Sequence, residues 1–234
     1  QAKKDYEKSP SKQLEKDISK FNNIQMARKI QLNSAYGAVG NQYFRYYNLL
    51  NAEAITLSGQ VSIRWIENKM NQKMNKILKT EDVDYVIASD TDSIYLNLGP
   101  LVEGVYKGRE ETDEVIVGFI DKVCSMELEP YIESSYEALA EYVNAYDQKM
   151  FMKRETIANK GIWTAKKRYI LNAWDIEGVR FAEPKLKVMG IEAVKSSTPG
   201  ACRDKIRECL KVIMNSDEED AQKFIADFRE EFNE

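Results

Sequence analysis

The 234-residue chain is predicted to be an α+β protein, with helices packed on a small antiparallel sheet and a helical C-terminal part. Three observations predict this class. Two long segments, 10–40 and 50–78, space their apolar residues at the helical period. The period then changes to short alternating runs, first around Asp90–Ser93 and again over 161–188. After Pro199 the helical period returns and continues nearly to the C-terminus.

The elements follow in order. In 10–40, Leu14, Ile18, Phe21, Ile24 and Met26 keep near-helical spacing, Pro10 suits a first turn, and Gly37 and Gly40 flank the end. In 50–78, Ile55, Ile63, Ile66, Met70, Met74 and Ile77 lie on or near one stripe, with Lys76 and Lys79 suiting a helix C-terminus. Tyr85–Ala88 and Ile94–Leu98 around "SDTDS" form a hairpin pattern. Residues 111–146 read as helix with an interruption near Pro130. Phe151–Ile157 is expected as a strand, and "GIWTAKKRYILNAW" (161–174) as another. "DIEG" (175–178) turns the chain back into "VRFAEPKLKV". Pro199 opens a helix over 200–214 with Ser197 or Thr198 as N-cap, and Ser216 with Glu219 forms a capping box for the last helix.

Composition excludes several chemistries. Hydrophobic content of 43% with 31% charged residues fits a folded soluble chain rather than a disordered one. No apolar run approaches the roughly 18 residues of a membrane span, and the first residues lack a secretory pattern. The chain has no histidine, which removes His-based triads and His-ligated zinc. Cys124, Cys202 and Cys209 lack metal-ligand spacing and read as reduced thiols of a cytosolic protein. The net charge of −4 conceals an asymmetry. Residues 81–147 carry 17 acidic and 3 basic side chains, whereas 151–187 carry 9 basic and 4 acidic, so the basic stretch suggests a local anionic partner. A solvated charged face is the plainer alternative.

Three motifs carry chemistry. Asp90 and Asp92 flank Thr91 at the tip of the first hairpin. On an extended strand such residues share a face, and two carboxylates there repel unless a cation lies between them. Hard divalent cations suit those oxygens. An EF-hand is excluded, because the sixth position counted from Asp90 is Tyr95 rather than Gly and the twelfth is Leu101 rather than Glu. An acid–base carboxylate pair or a plain acidic turn remains open. In the first helix, Lys29, Asn33 and Tyr36 stand at i, i+4 and i+7, so a cation, an amide and an aromatic share one face, and Gly37 leaves room beside them. Such a face suits phosphate, base edge and base plane together. In "WTAKKRY", Lys166 and Arg168 fall on one face of the expected strand and Lys167 and Tyr169 on the other. Basic residues interleaved with aromatics suit a nucleic-acid backbone, while an edge strand guarded by lysines is the alternative.

The order of these motifs adds more than any one of them. The series "KxxxNSxYGxxGN", "DTDSIY", "KKRY" and "AEPKLKxMGxExxKSSTP" resembles the polymerase region of family B DNA polymerases, in particular the T-even-type bacteriophage branch. "FRYYNLLNAEAIT" and "FAEPKLKVMGIEAVKSSTP" resemble that branch specifically, and the likeness runs from about Ile24 onward. The resemblance implies that 1–42 is the C-terminal part of the fingers, 43–195 the palm and 196–234 the start of the thumb. It implies a two-metal nucleotidyl transfer using magnesium, with Asp92 bridging both ions and Asp90 beside it. Lys29 would grip the triphosphate, with Asn33, Tyr36 and Gly37 facing the incoming nucleotide. Lys166, Lys167 and Tyr169 would follow the primer strand, and Glu155 would be a further acidic residue near the metals. The implied partners are primer–template DNA, a deoxynucleoside triphosphate, and an N-terminal polymerase chain or segment supplying the first metal aspartate and an exonuclease. The implied place of action is the cytoplasm of a bacterial host.

This sequence departs from the family pattern in places. Ser89 stands where Gly usually precedes the DTDS motif, Ala35 replaces a larger aliphatic residue, and the loop between Ile157 and Trp163 is shorter. No D-x-x-S-L-Y-P-S motif occurs upstream of the fingers helix. The expectation is therefore a polymerase portion with little or no activity by itself. Two other classes stay open: a metal-dependent transferase holding a nucleotide-sugar diphosphate through D-x-D, and a non-catalytic polymerase-derived module for DNA binding or assembly.

Overall fold

The computed structural model describes residues 5–6, 9–109 and 111–233. The expected α+β class is observed: helices accompany two small antiparallel sheets, β1–β2 and β3–β4–β5. The chain divides into two compact units, Gln1–Pro100 with Tyr131–Met152, and Leu101–Pro130 with Lys153–Glu234.

The first unit begins with α1 (Lys12–Val39). Ser11 is its N-cap, accepting the Leu14 N–H at 3.2 Å, so Pro10 lies outside the first turn. Gly40 ends it. The apolar spacing predicted a helix correctly, but none of its residues is buried. In α2 (Leu49–Leu78) the buried stripe is Ala52, Ser62, Ile66, Met70 and Met74, whereas Ile55 and Ile77 stay exposed. Steps of four residues keep that stripe on one side, and each fully buried Ile or Met contributes roughly 2 kcal/mol by leaving water. Lys79 caps α2 in the left-handed conformation with φ 56°. β1 (Val86–Asp90) and β2 (Ser93–Leu96) form the expected hairpin. Two amides of α2 hold its base. Asn71 Oδ1 accepts the N–H groups of Tyr85 (2.9 Å) and Val86 (3.1 Å), and Asn75 Oδ1 accepts that of Val83 (3.0 Å). α5 (Glu129–Tyr142) buries Ile132, Ser135, Tyr136 and Leu139, and the Trp65 indole of α2 donates to the Ser135 carbonyl at 2.8 Å.

The second unit contains a helix that the sequence reading left out. Gly99–Pro100 resembled a break, yet α3 (Gly99–Tyr106) starts there, because proline is tolerated where the N–H would have no partner. α4 (Asp113–Val123) runs into a π turn, Cys124–Leu128, directly before α5. The interruption expected near Pro130 is this wider turn. The Glu129 N–H bonds to the Cys124 carbonyl five residues back, and Pro130 has no N–H to offer the ladder.

β3 (Thr156–Ala165), β4 (Arg168–Ile176) and β5 (Val179–Met189) pair in chain order. Two strand expectations are corrected here. Residues 151–155 are not strand, and 161–174 is not one strand but two, joined by a turn at Lys166–Lys167. The second turn falls at "DIEG" as expected, with Glu177 (φ 53°) and Gly178 (φ 78°) both left-handed. β4 is the central strand and is buried from Tyr169 through Ala173. Ile170 packs with Ile191, Ala193, Leu210 and Met214, joining the sheet to α6 (Gly200–Asn215). The N-cap of α6 is Pro199, without a side-chain bond, rather than Ser197 or Thr198. Ser216 ends α6, and Asp217 accepts the Asp220 N–H at 3.0 Å to start α7 (Glu218–Asn233), so the expected capping box is not formed. All three cysteines are free thiols.

Candidate functional site

The β1–β2 register pairs Asp90 with Ser93, leaving Thr91 and Asp92 as the loop. Thr91 adopts φ 54°, an unusual conformation for a β-branched residue. The loop is fastened through Asp90. Its carbonyl accepts the Asp92 N–H (2.6 Å) and the Ser93 hydroxyl (3.1 Å), and its Oδ1 accepts the Thr91 hydroxyl (3.0 Å). The shared strand face expected for the two aspartates is therefore corrected, because Asp92 lies in the turn after the strand has ended. Asp90 is half-buried and braces the turn, while Asp92 is exposed. Sequence reading missed Tyr136, which lies near enough to feel Asp92. Burial pushes the Tyr136 phenol up, and the Asp92 carboxylate adds to that.

Magnesium commonly takes one or two carboxylates and completes its shell with water and substrate phosphate oxygens. The oxygen-only donor set of Asp90 and Asp92 fits that habit. Among the described residues no group of three or more metal-ligating side chains gathers.

On α1, Lys29, Asn33 and Tyr36 are exposed, as their helical spacing predicted. The Tyr36 hydroxyl shares a hydrogen bond with the Thr56 hydroxyl of α2 at 2.7 Å, which fixes the ring at the C-terminal end of the face. A Cβ placed on Gly37 would meet nothing within 4 Å, so that flank is open.

The basic segment behaves differently from a uniform patch. Arg154 binds Asp175 and also Asp121 (2.5 Å), and Arg180 approaches Asp121 at 3.4 Å and Asp175 at 3.8 Å. Asp175 is only 2% exposed, so the paired charges lock the base of the sheet rather than wait for a ligand. Burial alone would lower the Arg154 pKa, but its hydrogen bonds to Asp175 and Asp121 outweigh it and hold the value above the ordinary one. Lys187 donates to Glu155 (2.5 Å) and Thr156 (3.1 Å), and Arg168 to Glu192 (2.5 Å). These pairings correct the reading of 151–187 as one anion-facing surface.

Lys166 and Lys167 stay exposed at the β3–β4 turn. The two-faced alternation expected for 166–169 does not occur, since the lysines form the turn itself. Tyr169 is 7% exposed in the stem of that hairpin, its ring 6.4 Å from that of Trp163. Glu155 precedes the opposite end of β3, so within this unit it is not brought together with the two lysines.

Comparison with known proteins agrees with the sequence motifs. The family described as DNA polymerase family B matches residues 1–234. The chain is 41% identical over 230 residues to a DNA-directed DNA polymerase of Enterobacteria phage T4, covering 95% of this chain and 26% of that protein. It is 44% identical over 202 residues to the DNA-directed DNA polymerase of Escherichia phage RB69, covering 83% of this chain and 22% of that protein. A DNA polymerase 1 of Aeropyrum pernix is 22% identical over 228 residues. The chain thus spans about a quarter of the length of the phage relatives it matches. Among the described residues, no helix is long and apolar enough to cross a membrane.

Proposed function

The chain belongs to DNA polymerase family B, and from that we propose that it carries part of the machinery for template-directed transfer of deoxynucleotides to a primer. The observation that carries this reading is the turn at Asp90–Ser93, where one carboxylate braces the loop and the other faces solvent. Asp92, with Asp90, would hold magnesium. The bound metal would supply charge stabilisation at the reacting phosphate and a more acidic primer hydroxyl. Asp90 keeps the Asp92 carboxylate outward by satisfying the turn's own donors. Lys29 offers its ammonium to the triphosphate, Asn33 an amide, and Tyr36 a ring edge fixed by Thr56. Lys166 and Lys167 meet the primer backbone by charge. Glu155, held by Lys187, has the weakest claim on a metal.

On this reading 1–42 is fingers, 43–195 palm and 196–234 the start of the thumb. Since two carboxylates stand where two metals are to be shared, a further carboxylate comes from a segment upstream in the family, which also carries an exonuclease. The site of action is the cytoplasm of a bacterial host infected by a phage. The experiment combines this chain with a polymerase segment bearing the upstream motifs and measures primer extension. Extension is expected only with both components, and robust extension by this chain alone would overturn the need for a partner. The absence of a three-ligand group among the described residues gives one competing reading, a non-catalytic DNA-binding or assembly module. It predicts DNA binding that survives chelation and no extension with any segment.

A further inference from the structure

We propose that Gly190 is a positioning residue for the Lys166–Lys167 turn, with the Arg168–Glu192 pair as its second anchor. The inference rests on the reading that these lysines meet the primer backbone.

Lys167 holds φ 61°, in the left-handed region that favours glycine or asparagine. Two-residue hairpin loops also prefer turns with left-handed φ at the first loop position, and Lys166 is not left-handed. A lysine kept in such a conformation persists only where its surroundings hold it, and such residues gather at functional sites. The surroundings are specific. Gly190 follows β5 at φ 67° and lies against the Lys167 peptide. A Cβ there would overlap the Lys167 carbonyl oxygen, stand 3.1 Å from its carbonyl carbon and 3.3 Å from Arg168 Cγ. Any side chain at 190 therefore displaces the turn or its own backbone.

Beyond Gly190 the chain enters a short 3₁₀ turn, Glu192–Val194. Glu192 accepts from Arg168 at 2.5 Å and from Lys195 at 3.0 Å. The Thr164 hydroxyl donates to the Arg168 carbonyl at 3.2 Å, and Tyr169 pairs with Met189 across β4–β5. The residues before and after the two lysines are thus fixed to the segment that carries Gly190, and the lysines alone project from it.

The test measures binding of fluorescein-labelled primer–template DNA to this chain by anisotropy, across a series of potassium chloride concentrations. Four proteins are compared: wild type, Gly190→Ala, Lys166→Ala/Lys167→Ala, and the triple variant. Replacing both lysines is expected to lower the slope of log K against log salt by about 2. Gly190→Ala alone is expected to weaken binding about fivefold and lower that slope by about 1, a change that loss of fold stability would not mimic. In the lysine-free background Gly190→Ala should add nothing, because both act through the same contacts. An equal effect of Gly190→Ala in both backgrounds, or none in either, overturns the proposal while the lysine reading stands. Binding that ignores loss of both lysines overturns the lysine reading itself. Should Gly190→Ala lower the melting midpoint, Glu192→Gln, which removes only the Arg168 anchor, is judged by the same criteria.

Discussion

The hairpin that carries Asp90 and Asp92 and the sheet that carries Lys166 and Lys167 are both antiparallel, but they are held by different forces. The three-stranded sheet has an anchor of its own. Its central strand is buried, Asp175 locks Arg154 at its base, and Ile170 packs on Ile191, Ala193, Leu210 and Met214. The two-stranded hairpin rests on the amides of Asn71 and Asn75, and Ile87 within it is 51% exposed. A pair of strands is marginal without support on a face. The contrast teaches that charge does opposite work in the two places. In the sheet, carboxylates are consumed as internal fasteners. In the hairpin, backbone and hydroxyl groups do the fastening, which leaves Asp92 available.

The contrast is broken most directly at the hairpin tip. Asp92→Ala is expected to lower primer extension by the assembled polymerase on the order of 10³-fold, with primer–template binding and melting midpoint nearly unchanged. Equal loss of binding and activity would mean that Asp92 supports the fold. Asp175→Ala should behave in the reverse way. It leaves Arg154 and Arg180 without their buried partner, costing about 3–5 kcal/mol, seen as a drop of roughly 10 °C in the melting midpoint. A smaller effect is expected at the hairpin's support. Asn71→Ala strands the Tyr85 and Val86 N–H groups and costs about 2 kcal/mol, with faster hydrogen exchange across Val86–Leu96 and unchanged exchange in β4.

The smallest effect is a pH dependence beside the sheet. Burial raises the Cys124 thiol from 9.0 to about 11, against the lowering influence of Arg154. A pKa raised on folding gives stability that is complete below the unfolded value and is lost as pH rises through the folded one. Between pH 8 and 9.5 the loss is roughly 1 kcal/mol, and Cys124→Ala should flatten that limb of a denaturation series. An unchanged limb would place the titration elsewhere.

Much of this was legible in the sequence, for reasons that differ by residue. The helices α1 and α2 declare themselves by spacing, and Gly178 marks the second hairpin turn. The Lys166–Lys167 turn left no such mark, since nothing in "AKKRY" has the usual turn chemistry, and its conformation is imposed by Gly190 more than 20 residues later. Charge counting could not separate Arg154 and Arg180 from Lys166 and Lys167, because pairing is a tertiary fact. The functional residues on α1 kept the face their spacing gave them. Tyr136 was invisible as a neighbour of Asp92, because only the packing of α5 brings the two near each other. The Asp90–Asp92 pair was legible as an acidic tip but not as one brace and one free carboxylate.

The π turn at Cys124–Leu128 gives the helical run that contains it something like a reading frame. It inserts one residue beyond the regular pitch, which advances everything after it by about 100° around the axis. Ile132, Tyr136 and Leu139 are buried only in that phase. Deleting any single residue between 124 and 128 would restore a regular helix and turn that stripe toward solvent. Substitutions there are a matter of packing, whereas a one-residue deletion is a frameshift in space, and lineages of this chain should drift in sequence through the turn while holding its length.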